Sequence, residues 1–305
     1  MFILPTKGAR RMTTLNEAEA VEVSLSAIDE GDESRAFQAL DSLTEIAADF
    51  LSKNEETDAE RVILAIESSA QAAAERDLEL VTINSVLSLG KLARRAADKG
   101  FKSALGKAFV SIGKLGKVAA AHSLEAGSKV AATTLMEIWN FYPEQWDQKK
   151  IIAFSLLTKE IGTSAAKRGM EDVVLSAITG LGEIGKKVAA RSLELETISS
   201  LLLLEEIGKL AAESYFDEAL SSTALSIEEI GKISIKKGLN DAVLQCQWTL
   251  ETLRVQAEER LLSNSSIVAE VALDNFASTG YTDSEEKLEK FREIEVLQEK
   301  IQSTL

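Results

Sequence analysis

The chain has 305 residues and a net charge of −15, from 34 Lys and Arg against 49 Asp and Glu, a balance that disfavours general binding to nucleic acid or anionic membranes. A single cysteine rules out an intrachain disulfide and fits a reducing compartment, expected to be the cytoplasm. No stretch approaches the roughly 18 apolar residues a membrane span needs, and two prolines, Pro5 and Pro143, suit a chain of long helices.

Residues 1–13 read as a flexible tail. Thr13-Thr14-Leu15-Asn16-Glu17 carries a capping-box signature and predicts an N-terminal capping helix over 14–31, with Met12 as an alternative start. From Asp32 a 23-residue unit recurs without insertion, through starts such as Glu55, Leu78, Phe101, Leu124, Asp147 and Met170, to about residue 280. It is plainest from Met170 to Gly238, where Glu183-Ile184-Gly185-Lys186 returns as Glu206-Ile207-Gly208-Lys209 and Glu229-Ile230-Gly231-Lys232. Positions 5, 8, 12, 15, 16 and 19 of the unit step by three or four, so each unit is one amphipathic helix and strands are not expected. Position 12 is Leu or Ile in every unit but one, which has Thr158; position 8 is mostly small. Gly100, Gly169 and Gly238 suit left-handed helix ends, and Ser123 and Ser192 suit N-caps. Joins this short require neighbouring helices to run antiparallel.

Several units depart from the pattern. Thr57-Asp58-Ala59-Glu60 reads as a capping box. Residues 17–79 hold 18 acids and 4 bases, net −14, whereas residues 90–117 hold Lys91, Arg94, Arg95, Lys99, Lys102, Lys107, Lys114 and Lys117 against Asp98 alone, net +7. Regular units pair Glu and Lys at positions 14 and 17, as in Glu183/Lys186, Glu206/Lys209 and Glu229/Lys232. The basic units replace that acid with a second base, and antiparallel packing is expected to cluster the charges. Two readings stand open: a solvated face, or a site for an anionic partner. His122, the sole histidine, falls in a helix join and reads as a solvated turn residue. Trp139-Asn140-Phe141-Tyr142-Pro143-Glu144-Gln145-Trp146 puts Trp139 where later units have Gly and should end its helix at Pro143. Trp139, Tyr142 and Trp146 either widen one joint by packing or form an exposed aromatic anchor. Gly162, Gly185, Gly208 and Gly231 share position 16 and signal either close helix approach or recent duplication. Cys246 falls at the small position 8 and reads as core. After Ala277 the pattern breaks, and a C-terminal capping helix is expected over 281–305 with Leu288, Phe291, Ile294, Leu297 and Ile301 on one face.

The expected fold is all-α: about 13 consecutive antiparallel helices in an α-solenoid, or α-α superhelix. Two units make a hairpin of about 46 residues, within the range of HEAT and armadillo repeats, and landmarks such as Lys99-Gly100, Arg168-Gly169 and Lys237-Gly238 lie 69 residues apart, in blocks of three helices. The array resembles that repeat class, although the tetratricopeptide period and the Pro-and-Asp pattern of many HEAT hairpins are absent. The resemblance implies a non-enzymatic scaffold for protein–protein interaction. No catalytic set, metal spacing, phosphate loop or cofactor motif emerges. The expected partner is a protein, acidic or phosphorylated if the basic stretch is a site. The alternatives are a small-molecule binder or enzyme with a carboxylate-lined pocket, and nucleic-acid or phosphate binding through 90–117.

Overall fold

The structure, a computed structural model, describes residues 15–142 and 146–277. The expected tail over 1–13 and the expected C-terminal helix over 281–305 lie outside the described residues. Among the described residues there are twelve helices and no strand. They are α1 (Glu17–Glu30), α2 (Glu33–Ser52), α3 (Glu56–Glu75), α4 (Glu79–Lys99), α5 (Lys102–Ala121), α6 (Glu125–Phe141), α7 (Gln148–Ala166), α8 (Glu171–Ala190), α9 (Glu194–Glu213), α10 (Asp217–Lys237), α11 (Asn240–Glu259) and α12 (Ser263–Ala277). None is long and apolar enough to cross a membrane.

Each helix packs against the next in sequence and against the next but one. The odd-numbered helices therefore form one layer and the even-numbered helices the other, with the core between them. Position 12 lies in that core: Leu43, Ile66, Leu89, Ile112, Leu135, Leu181, Leu204, Ile227 and Leu250 are all fully buried. Thr158 is buried too, and its hydroxyl donates to the carbonyl of Phe154 at 2.9 Å, so the exception leaves no polar atom unsatisfied. Cys246 is buried as expected, and burial pushes its thiol far above the usual range.

The joins follow the same period. Gly31, Asn54, Asp77, Gly100, Ser123, Gly169, Ser192, Tyr215, Gly238 and Leu261 all have φ between 59° and 77°. Each is the left-handed residue of a Schellman turn, and the following position-one residue donates its amide five residues back, as Leu78 does to Ala73 at 2.9 Å. This corrects the expectation for Ser123 and Ser192: they end helices rather than start them, and Leu124 and Leu193, the N-cap residues, make no side-chain cap. The first helix starts at Glu17, and its capping box is Asn16 with Glu19 rather than the upstream threonines. Thr57 lies inside α3, so no box forms there.

At five helices the cap comes from a distance. Glu56, the first residue of α3, accepts from the amides of Ser103 and Ala104 at 3.0 and 3.1 Å at the start of α5. Glu79 on α4 does the same for Ala126 and Gly127 of α6. Glu171, Glu194 and Asp217 serve α10, α11 and α12 in turn. α3, α4, α8, α9 and α10 thus each cap the parallel helix two units on, which fixes the direction of both and satisfies amides that would otherwise be orphans.

Position 16 is where the layers close up. A Cβ built on Gly162 would lie 2.1 Å from Cδ1 of Ile207, and one on Gly185 2.4 Å from Cδ1 of Ile230. Gly116, Gly208 and Gly231 meet Ile161, Leu253 and Phe276 in the same way. Every one of those partners is at position 15 of the helix two units on. Close approach accounts for the recurring glycine, whatever the history of the copies.

Candidate functional site

The basic stretch does not form one cluster. Lys91, Arg94, Arg95 and Lys99 belong to α4 in the even layer, and Lys102, Lys107, Lys114 and Lys117 to α5 in the odd layer. Lys99 and Lys102 flank the join, but the rest turn to different neighbours. Arg94 forms an ion pair with Glu137 of α6. Lys114 reaches Glu67 of α3 at 3.7 Å, and Lys117 reaches Glu160 of α7 at 3.0 Å. The expected clustering fails because each helix exposes only the face turned away from the opposite layer.

These pairs follow a rule of their own. A base at position 17 meets the acid at position 14 two helices on: Arg94 with Glu137, Lys117 with Glu160, Lys186 with Glu229 at 2.7 Å. Of the three expected pairs within a helix, only Glu183 with Lys186 forms, at 2.6 Å. Glu206 is taken by Lys159, while Lys209 and Lys232 turn to Glu205 and Glu228. Such half-exposed pairs contribute about 0–1 kcal/mol each, so their value is in register more than in stability.

Trp139 and Trp146 are not surface anchors. They are 0% and 2% exposed, and pack with Phe154 and Phe109 at centroid separations of 5.4–6.2 Å. The reason is local: α6 stops at Phe141, the sixth join is longer than the others, and the two indoles fill the widened joint. Tyr142 is half-buried and donates to Asp98 of α4 at 2.9 Å. Burial raises its phenol above the ordinary range. Among the described aromatics of this stretch, the one left in solvent is Phe141, 68% exposed under the Arg94 guanidinium at 5.9 Å, which the sequence pattern did not single out. His122 is at the end of α5, with Nδ1 3.3 Å from an Asp77 carboxylate oxygen.

Two grooves on the outer faces were not foreseen. The larger, about 650 Å³, runs between α2 and α4 in the even layer. Phe37, Leu80, Ile83 and Leu87 make its walls, with Glu33 at one end. The sequence signal was apolar residues off the core stripe, in units where the solvent face should be polar. The second, about 350 Å³, crosses α3, α5 and α7 in the odd layer and gathers Lys102, Lys107, Lys114 and Lys150 around Glu67. A smaller groove between α6 and α8 holds Lys129 and Asp172, paired at 2.7 Å. No group of three or more metal-ligating side chains converges among the described residues.

No protein-family model matches the chain, and no curated protein matches it. Solved structures do. One described as "Circular tandem repeat protein with novel repeat topology and enhanced subunit contact surfaces" aligns with a TM-score of 0.55 at 13% identity, over 92% of this chain and 71% of that one. A "DHF58 filament" structure matches at TM-score 0.26 and 16% identity, over 87% of this chain and 98% of that one. One from "Computational Design of Self-Assembling Cyclic Protein Homooligomers" matches at 0.24 and 12%, over 92% and 94%. The first likeness shows a tandem helical-repeat fold; the other two are too distant in shape to add to it.

Proposed function

We propose that the protein is a non-enzymatic helical-repeat scaffold that holds a partner protein in the groove between α2 and α4. The observation that carries this reading is the groove's apolar wall, where Phe37, Leu80 and Leu87 are 40%, 65% and 45% exposed side by side. Leaving three large apolar side chains together in water forfeits about 25 cal/mol for each Å² left unburied, and contiguous exposed apolar patches mark interaction sites. The occupant that fits is an amphipathic helix with basic residues beside its apolar stripe. Its stripe meets the groove, and its bases meet α2, which carries Glu33, Asp41, Glu45 and Asp49 against Arg35 alone. The three grooves described contain one carboxylate each, Glu33, Glu67 and Asp172, an arrangement that favours binding over acid–base chemistry.

The test is site-specific photo-crosslinking in native extract from a benzoylphenylalanine at position 87. One recurrent partner is expected, and once purified it should bind Leu80→Asp plus Leu87→Asp at least about tenfold more weakly. Recovery of the same proteins from a crosslinker at Lys236, or unchanged affinity in the double variant, would sink the reading.

A further inference from the structure

We propose that the groove across α3, α5 and α7 is a phosphate-binding site, formed by Lys102, Lys107, Lys114 and Lys150, that takes a phosphorylated peptide. It lies in the odd layer, so its failure would leave the apolar groove of the even layer untouched.

Lys102 stands where other helices carry a capping acid. Glu56, Glu79, Glu171, Glu194 and Asp217 occupy position two of their units and cap the helix two along. At that position α5 has Lys102. A cation in the first turn opposes the helix dipole, and it leaves α7 without the distant cap. Asp147 supplies a local one instead, accepting from the amide of Lys150 at 2.9 Å. The first turn of α7 also lacks an acid and carries Lys149 and Lys150. Two parallel neighbouring helices therefore both place lysines at their positive ends. Lysines at two adjacent positive ends, set against the energetics of the fold, are what a binding site looks like in a repeat array.

The four lysines share one groove of about 350 Å³, and Glu67, the one acid in it, is already engaged by the Ser111 hydroxyl and by Lys114. Lys102 and Lys107 are exposed and form no ion pair among the described residues. Lys150 has only a long contact to Asp147, 3.7 Å. The floor is apolar at Leu64 and Val110 and open at Gly106, where an added Cβ would meet nothing nearer than Phe109 at 3.9 Å.

The charge and span of the groove select the ligand. A phosphate monoester brings a charge of about −1.5 to −2 and several acceptor oxygens to one point, which matches ammonium groups converging on one groove. A long polyanion would leave the groove at once and meet the acids of α1 and α3, so nucleic acid is the poorer fit. Three helices spaced about 8–10 Å apart offer a span of about 16–20 Å, the length of about five or six extended residues. The apolar floor has room for a side chain flanking the phosphoresidue.

The experiment uses the full chain and fluorescence anisotropy with a labelled degenerate phosphoserine hexapeptide, its unphosphorylated counterpart and heparin. The phosphopeptide should bind, inorganic phosphate should compete, and the unphosphorylated peptide should not bind. Lys107→Gln with Lys150→Gln should weaken binding by at least about tenfold, the usual effect of losing charge-assisted hydrogen bonds, while Arg94→Gln with Arg95→Gln should leave it unchanged. Lys102→Glu restores the acid of the repeat; it should raise the melting temperature and weaken phosphopeptide binding together. Equal binding of the two peptides would overturn the proposal. So would tighter binding of heparin with a steep salt dependence, loss of binding in the Arg94 and Arg95 variant, or a Lys102→Glu protein that gains stability and keeps full affinity.

Discussion

A methyl group at Gly162 would sit 2.1 Å from Ile207, whereas one at Gly106 would have nothing within 3.9 Å. The same substitution should therefore have opposite signs at the two sites. Gly106→Ala gains about 1 kcal/mol of helix propensity. Gly162→Ala gains that too, but overpacks a closed contact at about 1–3 kcal/mol, so it should lower the urea midpoint where Gly106→Ala raises it. A midpoint that rises for Gly162→Ala would show that α7 and α9 can part at low cost. The sequence marked position 16 as special but left close approach and recent copying open. The partner that decides between them is 45 residues away, from Gly162 to Ile207, beyond what a single-helix pattern shows. Trp139 teaches the same lesson. Its departure from Gly was visible; that a widened joint would bury it with Trp146 was not, because the widening comes from where α6 stops.

At the scale of the helix, capping is exchanged between neighbours rather than made locally. Glu79→Ala should lower stability by about 1 kcal/mol, the usual loss on removing a cap, and its signature is remote. Hydrogen exchange should quicken at Ala126 and Gly127, the amides Glu79 holds at 2.9 and 3.3 Å. Faster exchange confined to the first turn of α4 would contradict the distant cap. The joins give a second test. Leu261 is held at φ 60° and is 87% exposed, so a left-handed backbone that costs a non-glycine residue about 1–2 kcal/mol is not offset by burial. Leu261→Gly should raise the melting temperature; a drop would mean its side chain does more than its exposure suggests. Glycine joins were legible from sequence because glycine favours that conformation. The serine joins were misread because Ser is also a good N-cap, and only the 23-residue spacing of the left-handed residues, from Gly100 to Ser123 and from Gly169 to Ser192, separates the two roles.

For the molecule as a whole, the all-α array and its period were plain in the sequence, since one repeated apolar stripe specifies one repeated packing. The surfaces were not, because alternation between layers sends α4 and α5 to opposite faces and divides residues that are close in sequence. The contacts, however, ignore the layer. Gly116 meets Ile161 within the odd layer as Gly185 meets Ile230 within the even one, and Glu56 caps α5 as Glu79 caps α6. The unit of this fold is therefore the single helix, with stability close to a sum over neighbours one and two units away. Deleting Leu193–Tyr215 removes α9 and moves α10–α12 into the opposite layers. It also brings Ile230 to Gly162 and Leu253 to Gly185, position 15 to position 16 as before. Deleting Leu193–Gly238 removes two helices, leaves the layers unchanged, and brings Leu253 to Gly162. Both deletions should fold, with helix content reduced in proportion and melting temperatures within about 5 °C of each other, a gap of roughly 1–2 kcal/mol for a chain of this size. A one-helix deletion that fails to fold while the two-helix deletion melts normally would show that the layers differ in a way their shared contacts conceal, and that the helical hairpin is the true unit.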